Sequence, residues 1–178
     1  METTTPRVPV FTLIGGLLAF AAIVAGVITL SSFGCGASVD AVAALEPVDV
    51  VTGWFDEGIL EDGKNKLVPS VTLKLRNKST EDLKSIQINA IFRRVGEQEM
   101  WGEHFGWAVP REPVLSAGAE TSSLVMRSAL GYTGTQARMQ MLQNQEFVDA
   151  KVEIFLKQGS KVWAKLAEYP IQRQLLTK

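Results

Sequence analysis

The sequence predicts an all-β fold, an antiparallel β-sandwich of about seven strands, preceded by one N-terminal transmembrane α-helix. Three observations predict it. Residues 8–30 form a run of 23 without a charge. After Pro47 the apolar residues begin to alternate with polar ones. Turn-forming residues then interrupt that alternation at intervals suited to short strands. The composition bounds the function. With 46% hydrophobic and 21% charged residues the chain is not wholly disordered, and a net charge of −1 excludes a chain-wide basic footprint for nucleic acid. One Cys and one His exclude a disulfide framework, a thiolate metal cage and a two-His metal site.

A 23-residue helix is roughly 35 Å long, enough to cross a hydrocarbon core of about 30 Å with some tilt. A secretory signal has a shorter apolar region, of about 7–15 residues, so a retained anchor is expected. A lipoprotein signal is the alternative, because Gly34 precedes Cys35 and Gly36, Ala37 and Ser38 follow, although Ser32 stands where such signals have an aliphatic residue. Orientation follows from the flanks. Residues 1–7 hold Arg7, whereas residues 31–63 carry seven acids and no Lys or Arg. The positive-inside rule places the N-terminus in the cytoplasm and the C-terminal domain outside, in the periplasm of a Gram-negative host.

Within the span, Thr12, Gly15, Ala19, Ala22, Gly26 and Thr29 recur at spacings of three and four, which keeps them on one helical seam. All are small. Between helices in lipid, close backbone approach and hydroxyl hydrogen bonds drive association, so the seam is expected to pack on other transmembrane helices of a membrane protein complex. The background abundance of Gly and Ala in membrane helices is the alternative source of the pattern.

Residues 31–47 read as a linker, in which 40–45 form either one helical turn or an extended strap. Residues 48–178 then read as the extracytoplasmic domain. Val71, Leu73 and Leu75 alternate with Thr72, Lys74 and Arg76, and Ile86, Ile88, Ala90 and Phe92 alternate with Gln87, Asn89 and Arg93. These are two half-buried antiparallel strands joined through an Asn-Lys-Ser-Thr-Glu-Asp turn. Further strands are expected near 48–55, 99–107, 121–128, 148–156 and 162–171. Turns are expected at Asp62-Gly63, Val95-Gly96, residues 110–118 and Gln158-Gly159. Seven strands at this spacing suit an immunoglobulin-like sandwich, whose core Trp54, Trp101, Trp107 and Trp163 are expected to help fill.

Residues 131–145 break the alternation. From Thr135 onward they favour a short helix, capped by Thr133 or Thr135 and burying Met139 and Leu142. The alternative is an adaptable contact surface in which Tyr132, Met139 and Met141 meet a partner; the local-core reading is preferred.

Four stretches carry a resemblance: VTLKLRNKST, LKSIQINAIF, ETSSLVM and GSKVWAKLAEYPIQR. Together they resemble the Ig-like sandwich domains of membrane-anchored bacterial proteins, including those grouped under an FxLYD label, over roughly residues 48–173. The sequence departs from that pattern where Phe92 is followed by Arg93 and Arg94, in place of an aromatic-acidic ending. The resemblance implies a non-catalytic binding or scaffolding module and carries over no catalytic residue.

Candidate chemistry is sparse. His104 would need a carboxylate to act as a base, and nothing in the spacing selects Glu97, Glu99 or Glu112, so a surface or sheet-edge histidine is expected. Asp56, Glu57, Glu61 and Asp62 lack the DxDxDG arrangement and precede Lys64 and Lys66, so they read as a solvated turn. Asn77-Lys78-Ser79 matches a glycosylation sequon, yet Asn and Ser are also turn residues, and the turn is preferred. Residues 31–63 carry seven acids and no base, while residues 64–178 carry 17 bases and 11 acids, so the two segments either attract each other within the fold or steer a partner. No Gly-rich phosphate loop, GxSxG elbow or CxxC is present. Two roles survive: a structural, accessory subunit of a larger membrane complex, such as an electron-transfer or photosynthetic one, or an anchored binding module for a ligand, peptide or envelope component. Neither is an enzyme, and neither calls for a cofactor or metal.

Overall fold

The computed structural model describes residues 40–176; the expected span at 8–30, its seam and Cys35 lie outside the described residues. Among the described residues no helix is long and apolar enough to cross a membrane. The described residues open with a four-residue helix, α1 (Ala41–Ala44), held by the Asp40 carboxylate accepting from the Val42 amide at 3.1 Å. Nine strands and one further helix follow among the described residues: β1 (Leu45–Ile59), β2 (Asn65–Asn77), β3 (Ile86–Arg94), β4 (Gly102–Val109), β5 (Leu124–Arg127), β6 (Tyr132–Gly134), α2 (Arg138–Gln143), β7 (Ala150–Gln158), β8 (Ala164–Pro170) and β9 (Leu175–Leu176).

The strands form two sheets, in the manner of a β-sandwich. One runs β5-β2-β1-β9, with β6 also on β2; the other runs β4-β3-β7-β8. All pairings are antiparallel except β1 with β9. β3 and β7 lie at the centre of their sheet and have the same alternating burial. Ile86, Ile88, Ala90 and Phe92 of β3, with Ala150, Val152, Ile154 and Leu156 of β7, point inward to meet Leu67, Val71, Leu73 and Leu75 of β2 in one core. Each of the larger side chains, alanines apart, contributes about 1.5–3 kcal/mol by leaving water.

All seven expected strands are present, and the differences have local causes. Residues 40–47 belong to the packed domain: Ala41, Ala44 and Leu45 are buried in the core, so the linker contracts and the helical-turn alternative is the correct one. Two short strands, β6 and β9, exceed the expected seven because small residues let them approach. A Cβ on Gly131 would lie 2.1 Å from the Leu67 carbonyl oxygen, and one on Gly53 would lie 2.7 Å from Leu176. The helix expected from Thr135 starts only at Arg138, after Ala137, and neither Thr133 nor Thr135 caps it. Thr133 is instead paired with Lys66 in β6. The helix therefore turns Met141 and Leu142 inward and leaves Met139 half exposed, a correction to the expected burial of Met139.

The four tryptophans divide. Trp54 is fully buried and Trp101 packs against the core, but Trp107 and Trp163 stay outside. Trp54 sits among Trp101, Tyr132 and Phe147 at centroid distances of 6.1, 5.6 and 4.6 Å. Arg94 covers Trp101 and Arg173 covers Phe147.

Candidate interaction surface

The outward face of the second sheet is where polar and aromatic groups collect. The alternation that sends Ile88 and Ala90 inward sends Gln87, Asn89, Ile91 and Arg93 outward, and β7 presents Lys151, Glu153, Phe155 and Lys157 on the same side. β4 adds Glu103, Phe105 and Trp107. Register places Asn89 between Phe105 and Phe155, and Gln87 between Trp107 and Lys157. Phe105 and Trp107 are each 54% exposed. Trp163, just before β8, turns its ring edge-on to Phe105 at 6.0 Å and 78°, with the Lys157 ammonium 5.8 Å from the ring centroid.

Beside these rings lies an ion network spanning three strands. Glu153 receives Lys165 at 2.7 Å and Arg93 at 2.9 Å; Glu168 receives Lys165 at 2.5 Å and Lys151 at 3.1 Å. Hydrogen bonds from Lys165, then from Arg93, stabilise the charged form of Glu153 and bring its pKa down to about 2. Lys165 is raised by Glu153 and Glu168, and Glu168 is lowered by Lys165 and Lys151. Alternating charges thus link the side chains of β3, β7 and β8 across this face.

The sequence-predicted residues fall in different places. Thr12, Gly15, Ala19, Ala22, Gly26 and Thr29 lie outside the described residues. Of Tyr132, Met139 and Met141, the structure takes two inward. Met141 is 5% exposed, and the Tyr132 ring lies tilted between Phe147 at 4.5 Å and Trp101 at 5.0 Å while its hydroxyl donates to the Val148 carbonyl. Only Met139 remains on the surface. Tyr132 and Met141 therefore pack within the domain.

His104 sits on the edge strand β4, and none of the described carboxylates forms an ion pair with it. Asp56 pairs with Arg138, Glu57 with Lys66 at 3.8 Å, and Asp62 with Lys64 at 2.8 Å. With Asp49 on Lys74 at 2.7 Å, four of the seven early acids meet later bases, which is the intramolecular alternative for the charge asymmetry. Asn77 is fully buried, and its side-chain nitrogen donates to the carbonyls of Glu81 at 2.8 Å and Leu115 at 3.0 Å. That nitrogen is committed to the fold, so the sequon works as a turn.

Phe105, Trp107 and Trp163 are the surface groups that sequence reasoning missed, having assigned the two tryptophans to the core. A signal was present for two of them: Phe105 and Trp107 share parity with Glu103, whose charge marks that face as outward, while Gly102 and Gly106 occupy the other. Trp163 had none, because the bulge between Ile154 and Phe155 resets the phase of β8.

No protein family matches the chain, and no curated protein matches it either. Among solved structures it is similar to a Northeast Structural Genomics Consortium target, SoR45, solved by X-ray methods. The identity is 14%, the coverage 74% of this chain and 89% of that one, and the TM-score 0.41.

Proposed function

We propose that this chain is a non-catalytic, single-pass accessory subunit. Its N-terminal helix docks through the small-residue seam onto other helices of a larger membrane protein complex, of electron-transfer or photosynthetic type. Its extracytoplasmic domain, an Ig-like sandwich of FxLYD resemblance, braces the outer face and stabilises the assembly. The observation that carries this reading is where packing begins. Because Ala41, Ala44 and Leu45 are core residues, only residues 31–39 separate the expected span from the packed domain. So short a tether suits a subunit braced against its neighbours better than a module that sweeps for ligands.

The test is Gly15→Leu combined with Gly26→Leu, followed by purification of the full chain in mild detergent and mass spectrometry of whatever accompanies it. Two leucines on the seam hold helices apart, so the variant loses its companions at wild-type expression. Unchanged co-purification refutes the reading. The exposed rings of Phe105, Trp107 and Trp163 favour a second reading, an anchored binding module for a peptide or envelope component. On that reading the same double variant keeps its companions and Trp163→Ala loses them.

A further inference from the structure

Strand register and loop hydrogen bonds fix which loops share an end of the sandwich. β1 starts at Leu45 opposite Asn77, and the Lys78 amide donates to the Ala44 carbonyl at 2.9 Å. Leu83 and Leu115 exchange backbone hydrogen bonds, while the Ser85 amide donates to the Pro110 carbonyl and the Ser85 carbonyl accepts from the Gly159 amide. Residues 78–85, 110–119 and 157–163 therefore surround the point where the chain enters the domain. Residues 57–64, 95–101 and 144–149 lie at the far end, where Ile59 pairs with Asn65 and Arg94 with Ala150. The two ends differ in charge. In those segments the entry end carries five bases and three acids, and the far end one base and seven acids. Lys78, Lys84 and Arg111 are exposed at the entry end and form no ion pair with a described carboxylate, and the Lys157 ammonium lies over the Trp163 ring. Exposed rings sort the same way. Trp107 stands near the entry end of β4, Trp163 just precedes β8, and Val162 beside it is 85% exposed. Among the described residues the far end also exposes aliphatic side chains, Ile59 and Met100 among them, but no aromatic ring.

We propose that the entry end of the sandwich rests on an anionic bilayer surface, with Trp107, Trp163 and Val162 at headgroup depth and Lys84, Arg111 and Lys157 facing lipid phosphates. The inference rests on the span proposed at residues 8–30. Residues 31–39 reach at most about 30 Å when extended, so it is the entry end that the tether keeps near the bilayer. Tethering at that range gives an effective concentration on the order of millimolar, and weak contacts are then enough. The residue types suit such a contact. An indole ring is apolar in its body and polar at its N–H, which favours the headgroup layer, and bases within a Debye length of anionic lipid are drawn to it. The acids of the far end are repelled by the same surface, so charge selects which end faces it. A protein partner would also cover the rings, but it leaves unexplained why the rings and the bases without a carboxylate gather where the tether enters.

The experiment reconstitutes the full chain in vesicles of equal parts phosphatidylcholine and phosphatidylglycerol, with acyl chains either plain or brominated near the glycerol. Bromine quenches tryptophan on contact. Residues 8–30 contain no tryptophan, and Trp54 and Trp101 pack within the domain, so quenching reports Trp107 and Trp163. With two of the four tryptophans in the headgroup layer, emission from brominated vesicles falls about a third below that from plain ones. Trp107→Phe with Trp163→Phe removes the difference. Lys84→Glu with Arg111→Glu keeps every tryptophan and changes only exposed side chains, so it cuts the quenching at least twofold while the melting curve keeps its shape. Equal emission from the two kinds of vesicle, or quenching that the charge reversal leaves intact, overturns the proposal. An alkaline carbonate wash separates this failure from that of the span. A chain that stays with the vesicles unquenched keeps its span and loses this contact, whereas a chain that washes off loses both. Unquenched rings whose Trp163→Ala variant sheds protein companions belong to a peptide partner, which overturns the proposal too.

Discussion

Asn77→Ala is the sharpest test of how the domain is held together. Asn77 ends β2 with its side chain at 0% exposure. Its nitrogen donates to Glu81 and Leu115, and its oxygen accepts from the Ser79 amide at 3.0 Å and the Ser79 hydroxyl at 2.7 Å. Alanine removes all four bonds. At about 0.5–1.5 kcal/mol each the gross loss is about 2–6 kcal/mol. The lower half of that range applies, because the Leu115 carbonyl keeps the Leu83 amide at 2.9 Å and the Ser79 hydroxyl, its one proton released from Asn77, turns to the Glu81 carbonyl 3.1 Å away. The expected cost is therefore about 2–4 kcal/mol. Urea unfolding of the full chain in detergent, followed by tryptophan emission from buried Trp54, measures it as a midpoint lowered by about 1–2 M with an unchanged slope. Asn77→Asp adds a pH signature. An aspartate there turns an oxygen toward two carbonyls, so burial and repulsion raise its folded pKa above the unfolded value of about 3.9. The folded state then binds more protons, and the variant's deficit grows as pH rises from 4 to 7. An alanine variant within about 0.5 kcal/mol of wild type, or an aspartate variant whose deficit shrinks with rising pH, would refute this account.

Three further outcomes follow from the geometry. Glu153, with its pKa lowered to about 2 by Lys165 and Arg93, contributes stability above its ordinary pKa of 4.5 that is lost as pH falls toward 2. Glu153→Gln should accordingly cost about 1 kcal/mol at pH 7 and nothing near pH 2, measured by urea midpoints across that window. Gly131→Ala sets a methyl against the Leu67 backbone oxygen and should loosen β6, lowering stability by more than 2 kcal/mol and speeding amide exchange at residues 65–67 and 132–134. Met141→Ala should cost about 2–5 kcal/mol and Met139→Ala less than about 0.5 kcal/mol, read as thermal midpoints; equal effects would contradict the observed facing of α2.

The strands were legible wherever local pattern and tertiary burial agree. β3 and β7 are covered on one face only, so the core selects every second residue, and Ile86 to Phe92 announce both strand and face. Legibility fails where a long-range contact decides. Tyr132 and Met141 offered two readings, because a Met-bearing segment can face core or solvent with the same composition. It took the approach of Gly131 to β2 to turn that segment inward. The same limit hid Asn77, whose sequon and turn readings differ only by partners 4 and 38 residues away.

By itself, then, the sequence determined the change from an uncharged run to period-two alternation, the strand positions and the turns, because these are local consequences of side-chain polarity and backbone preference. Tertiary structure alone decided which strands became edges, which aromatic rings entered the core, and that residues 40–47 joined the domain. Those choices depend on pairing between segments distant in sequence. Two of them matter most here: β4, although rich in apolar residues, ended at the rim of its sheet, and its Phe105 and Trp107 were left facing water.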